Sequence, residues 1–341
     1  MVFPTSFTSA LLLLVLSFLC FSIWPNLYKR SERRWRFELF SLDFSIGAIL
    51  MALLTAYTLG TLGSEMSFTD RMLVAGRAQS VWMIGAGTVF ALGNMLLLPA
   101  ITLLGMACAF AISYGTAVAV TAVVHIGHSH PLLLCGALAC LLLCIASGLI
   151  AAGWATSSPA KLSAASRYKA GRVTAVTLAV LSGLALGGMQ FVLKLDADPE
   201  FGPGPYASIL MLALGILIST PALIFFFINI RITGDTIKFR LYTQGGVKPH
   251  VPGFLSGAIW ASGTASVLVA LSTLEDQAPS APLLFLLPVS SVVVCILLGL
   301  FRWKEFSAPP PRAWLFGSIV SFAVGCALIA YGLGRWHLFS S

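Results

Sequence analysis

Runs of about 20 apolar residues, separated by short polar segments, fill nearly the whole chain, and this spacing limits the fold more than any other feature. A helix rises about 1.5 Å per residue, so one such run covers the ~30 Å hydrocarbon core of a bilayer. Lipid supplies no hydrogen bonds, so only helices and closed barrels cross it. Barrel strands read as alternating segments of roughly ten residues, whereas these runs are continuous. Helices are expected. Composition agrees: 58% of the 341 residues are hydrophobic, 9% are charged and the mean hydropathy is +0.94, against about 25% charged residues in soluble proteins.

The runs predict ten spans. The first covers about Phe7 to Leu27, read as an uncleaved first helix, and the second about Phe40 to Leu62. Ser80 to Val124 is too long for one span, and Pro99 followed by Gly105 divides it into a third and a fourth. The fifth covers Pro131 to Trp154. After a polar segment from Ala155 to Arg172, five more follow: Thr174 to Phe191, Ala207 to Ile230, Gly253 to Leu274, Pro282 to Phe301 and Ala313 to Gly334. The expected organisation is a first five-helix unit over residues 1–154, a central loop over 155–172 and a second unit over 173–341.

Charge orients these spans. The segment from Lys29 to Arg36, the central loop with Lys161, Arg167, Lys169 and Arg172, the segment from Arg231 to Lys248, and Arg302, Lys304 and Arg312 all fall on one side of a ten-span arrangement. That side then holds about 16 of the 20 Lys and Arg residues, as the positive-inside rule requires. Asp196, Asp198, Glu200, Glu275 and Asp276 fall on the other. Both termini are predicted outside and the central loop in the cytoplasm of a multi-pass cell-membrane protein. The net charge of +8 is used in this way and suggests no nucleic-acid partner. The seven cysteines lie inside apolar runs without CxxC spacing and read as small apolar residues.

Five spans followed by five start from opposite faces, which is an inverted-topology repeat. Gly87-Thr88-Val89-Phe90-Ala91-Leu92-Gly93 on the third span matches Gly257-Ala258-Ile259-Trp260-Ala261-Ser262-Gly263 on the eighth in its flanking glycines and apolar spacing. Each string sits on the third helix of its half. The fold class expected is an all-α integral membrane protein of ten transmembrane helices in two inverted five-helix repeats.

Three patches carry a family resemblance. Arg34-Trp35-Arg36-Phe37-Glu38-Leu39-Phe40, leading to Asp43-Phe44-Ser45-Ile46-Gly47, is similar to the start of helix two in plant ureide permeases and their bacterial relatives. Gly93-Asn94 resembles a motif of the same group. Gly299-Leu300-Phe301-Arg302-Trp303-Lys304-Glu305 resembles the end of helix nine in the drug/metabolite transporter superfamily, where a Glu commonly closes the span. The central loop departs from the plant proteins: it is short and has no phosphate-binding GxxxxGK[ST] motif, which turns the resemblance toward bacterial glucose/ribose-type and rhamnose-type sugar porters. The resemblance implies two inverted halves and transport of a sugar or ureide-like compound, without ATP coupling.

A transporter needs polar groups at bilayer depth. Asn94 offers donors and an acceptor to a substrate hydroxyl or amide, with an interhelical hydrogen bond as its structural alternative. Gln190 is similar but nearer the outer interface. Trp82 and Trp260 are candidates for stacking on a planar or sugar ring, with interfacial anchoring as the alternative. Asp43 and Glu38 are carboxylates at the inner end of the second span, suited to proton coupling or to ion pairs with Arg33, Arg34 and Arg36. Lys194 is expected to snorkel to the interface. Pro288, Pro99 and Pro221 are kink positions, with Pro288 the expected hinge. Gly183 with Gly187, and Gly253 with Gly257, let helix backbones approach closely and rock, which makes Gly257 a second expected hinge. His125, His128 and His130 form the nearest thing to a metal site, but three loop histidines need no metal to be stable in water, and none is assigned.

The expected function is a secondary transporter of a small polar metabolite working by alternating access, with H+ or Na+ as coupling ion and no cofactor. An exporter or exchanger of metabolites or drugs fits the same fold, and the 23 Phe and 8 Trp suit apolar cargo as well. A membrane-embedded sensor or enzyme is the alternative of another class. It is disfavoured because the spans hold no Ser/His/Asp set, HExxH or paired-carboxylate motif. Direction and oligomeric state are left open.

Overall fold

The computed structural model describes residues 1–4, 6–63, 66–126, 131–156, 171–194, 203–230, 232–233, 239–244, 246–274, 286–306 and 309–339. The central loop, the acidic segments after residues 194 and 274 and most of the histidine cluster lie outside the described residues. So do the side chains of Gln190, Lys194 and His125.

Thirteen helices are described: α1 (Phe7–Ser31), α2 (Phe37–Tyr57), α3 (Phe68–Val74), α4 (Arg77–Leu104), α5 (Met106–Ile126), α6 (Pro131–Thr156), α7 (Arg172–Lys194), α8 (Gly204–Ile228), α9 (Arg240–Gln244), α10 (His250–Leu274), α11 (Leu286–Val289), α12 (Ser291–Phe301) and α13 (Pro309–Phe339). Among the described residues nine of them are long and apolar enough to cross a membrane. The region of the expected ninth span is a shorter apolar stretch, Leu286–Phe301, broken at Ser290 into α11 and α12. The chain is an all-α, multi-pass membrane protein.

Local chemistry sets the helix ends. Ser6 caps α1, its hydroxyl accepting from the Ser9 N–H at 3.2 Å. The long apolar stretch divides at Gly105 and not at Pro99, which stays buried inside α4. Gly105 has φ +90°, a left-handed conformation open to glycine, and it turns the chain from α4 directly into α5. The bare N-terminus of α5 is closed from a distance: the Glu305 carboxylate accepts from the N–H groups of Met106 at 2.6 Å and Ala107 at 2.9 Å. Lys29 lies 3.3 Å from the same carboxylate and 2.9 Å from Glu32. Burial pushes the Glu32 carboxyl above its usual range, opposed by the ammonium of Lys29. One polar cluster thus ties the ends of α1, α4, α5 and α12.

The two sequence halves interleave. α10 packs against α1 and α2, α4 against α7 and α8, α5 against α6, α7 and α12, and α13 against α6, while α2 meets α8 directly. Lipid gives no hydrophobic drive for helix pairing, so close backbone approach has to supply the contact. Glycine makes the approach. Where α2 crosses α10, Gly257 admits the carbonyl oxygen of Phe44, and Gly47 admits that of Phe254. Where α8 crosses α4, Gly87 admits the carbonyl oxygen of Leu212, and Gly215 that of Ile84. Both crossings use a carbonyl and a glycine three residues apart on each helix. Two turns further, Gly263 abuts Cys20 and Phe21 on α1, and Gly93 abuts Leu186 on α7.

Between the crossings lies an aromatic core. Phe90 and Trp260, the fourth residues of the two seven-residue strings, stack with ring centroids 4.4 Å apart and planes at 30°. Phe44 adds contacts to both, at 6.4 and 5.8 Å, and Trp24 lies 5.6 Å from Phe44. All four are buried.

Candidate functional site

Asp43 is the focus of the polar chemistry. It lies two turns inside α2 and is 3% exposed, so its carboxylate must be satisfied by protein groups. Three elements supply them. Trp35, in the turn after α1, donates its indole N–H to Asp43 Oδ2 at 2.8 Å. The Tyr242 hydroxyl on α9 donates to Oδ1 at 2.6 Å, and His250 Nδ1 at the start of α10 lies 2.8 Å from the same oxygen. His250 Nε2 is 3.1 Å from the Tyr242 carbonyl oxygen. Burial, and then the bond to Asp43, push the Tyr242 phenol well above its usual range and keep it a donor. Gly253 makes room for this carboxylate, since a Cβ there would sit 2.6 Å from Asp43 Cβ.

A cleft of about 380 Å³ reaches this group, with Asp43, Tyr242 and His250 beside apolar walls of Ile46, Val247, Val251, Phe254 and Leu255. Glu38, the other carboxylate candidate, is paired locally: Arg36 donates to it through both Nε, at 3.2 Å, and Nη2. Its side chain is fully buried. Glu38 also sits in the first turn of α2, where a negative charge meets the positive end of the helix dipole. That arrangement anchors a helix end, whereas the donors of Asp43 come from three separate elements.

The other candidates scatter. Asn94 is 4% exposed, and its Oδ1 is buried without a hydrogen-bond partner among the described residues. It lies one turn from Phe90 on the same face of α4, beside the aromatic core. An unpaired buried amide oxygen costs about 1–3 kcal/mol, which a donor on a bound molecule would recover. An Asn94→Leu protein is therefore expected to melt at the same or a higher temperature than the parent. A fall of several degrees would show that the amide holds the bundle together. Trp260 is buried against Phe90, whereas Trp82 is 42% exposed near the start of α4, a position suited to interfacial anchoring. The structure does not bring the two tryptophans to one surface. Gln190 falls outside the described side chains. Gly257 sits at the α2–α10 crossing, and Pro288 is buried in α11, just before the break at Ser290.

His250 and Tyr242 are missed by reading the sequence. One signal points to His250: it precedes the Gly253 and Gly257 pair by three residues, so it shares the face that packs on α2. Among the described residues, no group of three or more His, Cys, Asp or Glu could hold a metal ion. No protein-family model and no curated protein matches the chain.

Proposed function

We propose that this protein is a secondary transporter of a small polar metabolite, a sugar or ureide-like compound, in which two inverted five-helix halves alternate access and a proton coupled at Asp43 drives the cycle. The observation that carries this reading is the correspondence of the two glycine crossings. Ile84 and Gly87 on α4 bear the same relation to Leu212 and Gly215 on α8 as Phe254 and Gly257 on α10 bear to Phe44 and Gly47 on α2. Under a repeat that equates Gly87 with Gly257, Phe90 and Trp260 are equivalent positions. They meet each other face to face, as residues on a pseudo-two-fold axis in the membrane plane would.

Substrate sites in inverted-repeat transporters lie on that axis near the bilayer midplane. Asn94 stands one turn from the stack with an unused acceptor, which suits a hydroxyl or amide donor, and the rings of Phe90 and Trp260 suit a flat or puckered ring. Asp43 lies one residue before Phe44, so a change at its carboxylate is transmitted directly to the α2–α10 crossing. The basic end of the bundle, from Lys29 to Arg36, would face the cytoplasm, with both termini outside.

Uptake of a radiolabelled panel of sugars and ureides into proteoliposomes, with and without an imposed pH gradient, tests the proposal. Gradient-dependent accumulation of at least one compound is expected, reduced about tenfold or more by Asp43→Asn. Absence of accumulation across the panel in both directions, from protein that is folded and oriented, would reject it.

A further inference from the structure

Both nitrogens of His250 face oxygen atoms, one from Asp43 at 2.8 Å and one from the Tyr242 carbonyl at 3.1 Å. A carbonyl only accepts, so Nε2 must carry a hydrogen. A neutral ring then presents a lone pair at Nδ1, toward a carboxylate that already accepts from Tyr242 and Trp35. The contact is satisfied in two ways: the ring is an imidazolium, or the carboxyl is protonated and donates to Nδ1. Both ways place one additional proton on the pair. Without it, a lone pair opposes an oxygen either at Asp43 or at the Tyr242 carbonyl.

We propose that Asp43 and His250 form one proton-binding unit, and that its proton clasps α9 onto the adjoining ends of α2 and α10. His250 shares the proton as an equal member of the unit, and Tyr242 reports its presence to α9 through both its hydroxyl and its backbone carbonyl. The side chain of His250 is 24% exposed, so the cleft beside Val247 and Val251 gives the proton a way out to water. When it leaves, the imidazole becomes neutral beside the carboxylate, one of the two contacts fails, and the tie through His250 is lost, leaving α9 held by the Tyr242 hydroxyl bond to Asp43.

The groups around the ring leave the titration to this pair. Trp35 and Tyr242 pack edge-on against it, with centroids at 4.7 and 4.5 Å, and the Tyr242 phenol is pushed up by burial and by Asp43. Among the described residues Asp43 is the carboxylate that meets His250. Arg36 and Glu38 are engaged with each other, and Arg240 and Lys248 are exposed. On α10 the next turn presents Gly253 to the carboxylate, which adds no charge.

The consequence for uptake rests on the proton-coupled reading above, whereas the proton count does not, and the experiment separates them. Protein labelled with 15N-histidine is placed in lipid bilayers and titrated from about pH 5 to 9, spanning the range in which histidines change charge. His250→Gln identifies the resonance. One transition is expected at His250, accompanied by at least a tenfold fall in amide protection factors over residues 240–251, each exchange rate being corrected for the intrinsic base-catalysed rate at that pH, as the proton is lost. In His250→Gln those protection factors should no longer vary with pH. A His250 signal that stays constant, or that titrates while the protection factors over 240–251 do not change, overturns the proposal from measurements on the unmodified protein alone. In the sugar and ureide uptake assay, the titration without any transported compound removes the transporter reading and keeps the clasp. Uptake without the titration does the reverse.

Discussion

A Gly257→Leu protein is expected to lose about 3 kcal/mol of stability, or to fail to accumulate in the membrane. A Cβ at this position would overlap the carbonyl oxygen of Phe44 and stand 2.8 Å from the Ala48 amide nitrogen, both of them backbone atoms in the middle of α2. A flexible side chain could move aside, but helix backbone cannot do so without breaking its own ladder. Overpacking in well-packed interiors costs about 1–3 kcal/mol, and a four-carbon side chain against backbone falls at the upper end. Gly87→Leu, which meets the Leu212 carbonyl at the other crossing, should do the same. Gly188→Leu is the control, because nothing lies within 4 Å of a Cβ there. Thermal unfolding in detergent measures all three. Equal melting temperatures for Gly257→Leu and Gly188→Leu would contradict the packing described. A large loss at Gly257 with none at Gly87 would count against the two crossings being equivalent.

Glu305→Ala is expected to be the second severe change, costing about 3 kcal/mol. The carboxylate is 4% exposed and has two tasks: it closes the first two N–H groups of α5 and it neutralises Lys29, whose side chain is 11% exposed. Removing it leaves a buried ammonium short of one partner and uncaps a helix that follows directly on a left-handed Gly105. Glu305→Gln keeps an acceptor for one of the two amides and should lose about half as much. Lys29→Met in the Glu305→Ala background should add to the loss, since the buried Glu32 carboxylate then loses its ion-pair partner at 2.9 Å. A double variant as stable as Glu305→Ala would show that Glu32 does not depend on Lys29.

Much of the fold could be read from the chain because lipid narrows the choices. Every apolar run long enough to span is matched by a helix that begins or ends within a few residues of it, and the run over 282–301 alone is short and broken where described. The division of the third and fourth spans, expected over Pro99 to Gly105, falls at its glycine end. Pro99 breaks helices in water, where a freed carbonyl can turn to solvent. In lipid the helix is kept and the neighbours absorb the defect, so Pro25, Pro99 and Pro221 all lie inside helices. The break came at Gly105 because Glu305 waits there, 199 residues away from Met106. Asp43 was visible as a carboxylate out of place. Its partners were not, because Tyr242 and His250 lie 199 and 207 residues from it, and no local pattern encodes which distant donor will meet a buried acceptor.

The interleaving of helices has a mechanical consequence. α4 is seated between α7 and α8, and α10 between α1 and α2, so each half of the sequence holds the centre of the other. In the proposed transport cycle the inverted halves would therefore move not as two covalent segments but as interleaved blocks. A clam that opened between residues 1–154 and 173–341 would have to tear out both glycine crossings, while rocking of α1, α2 and α10 as one block against α4, α7 and α8 as another leaves both crossings intact. The seam between those blocks is where α2 meets α8 and where Phe90 stacks on Trp260.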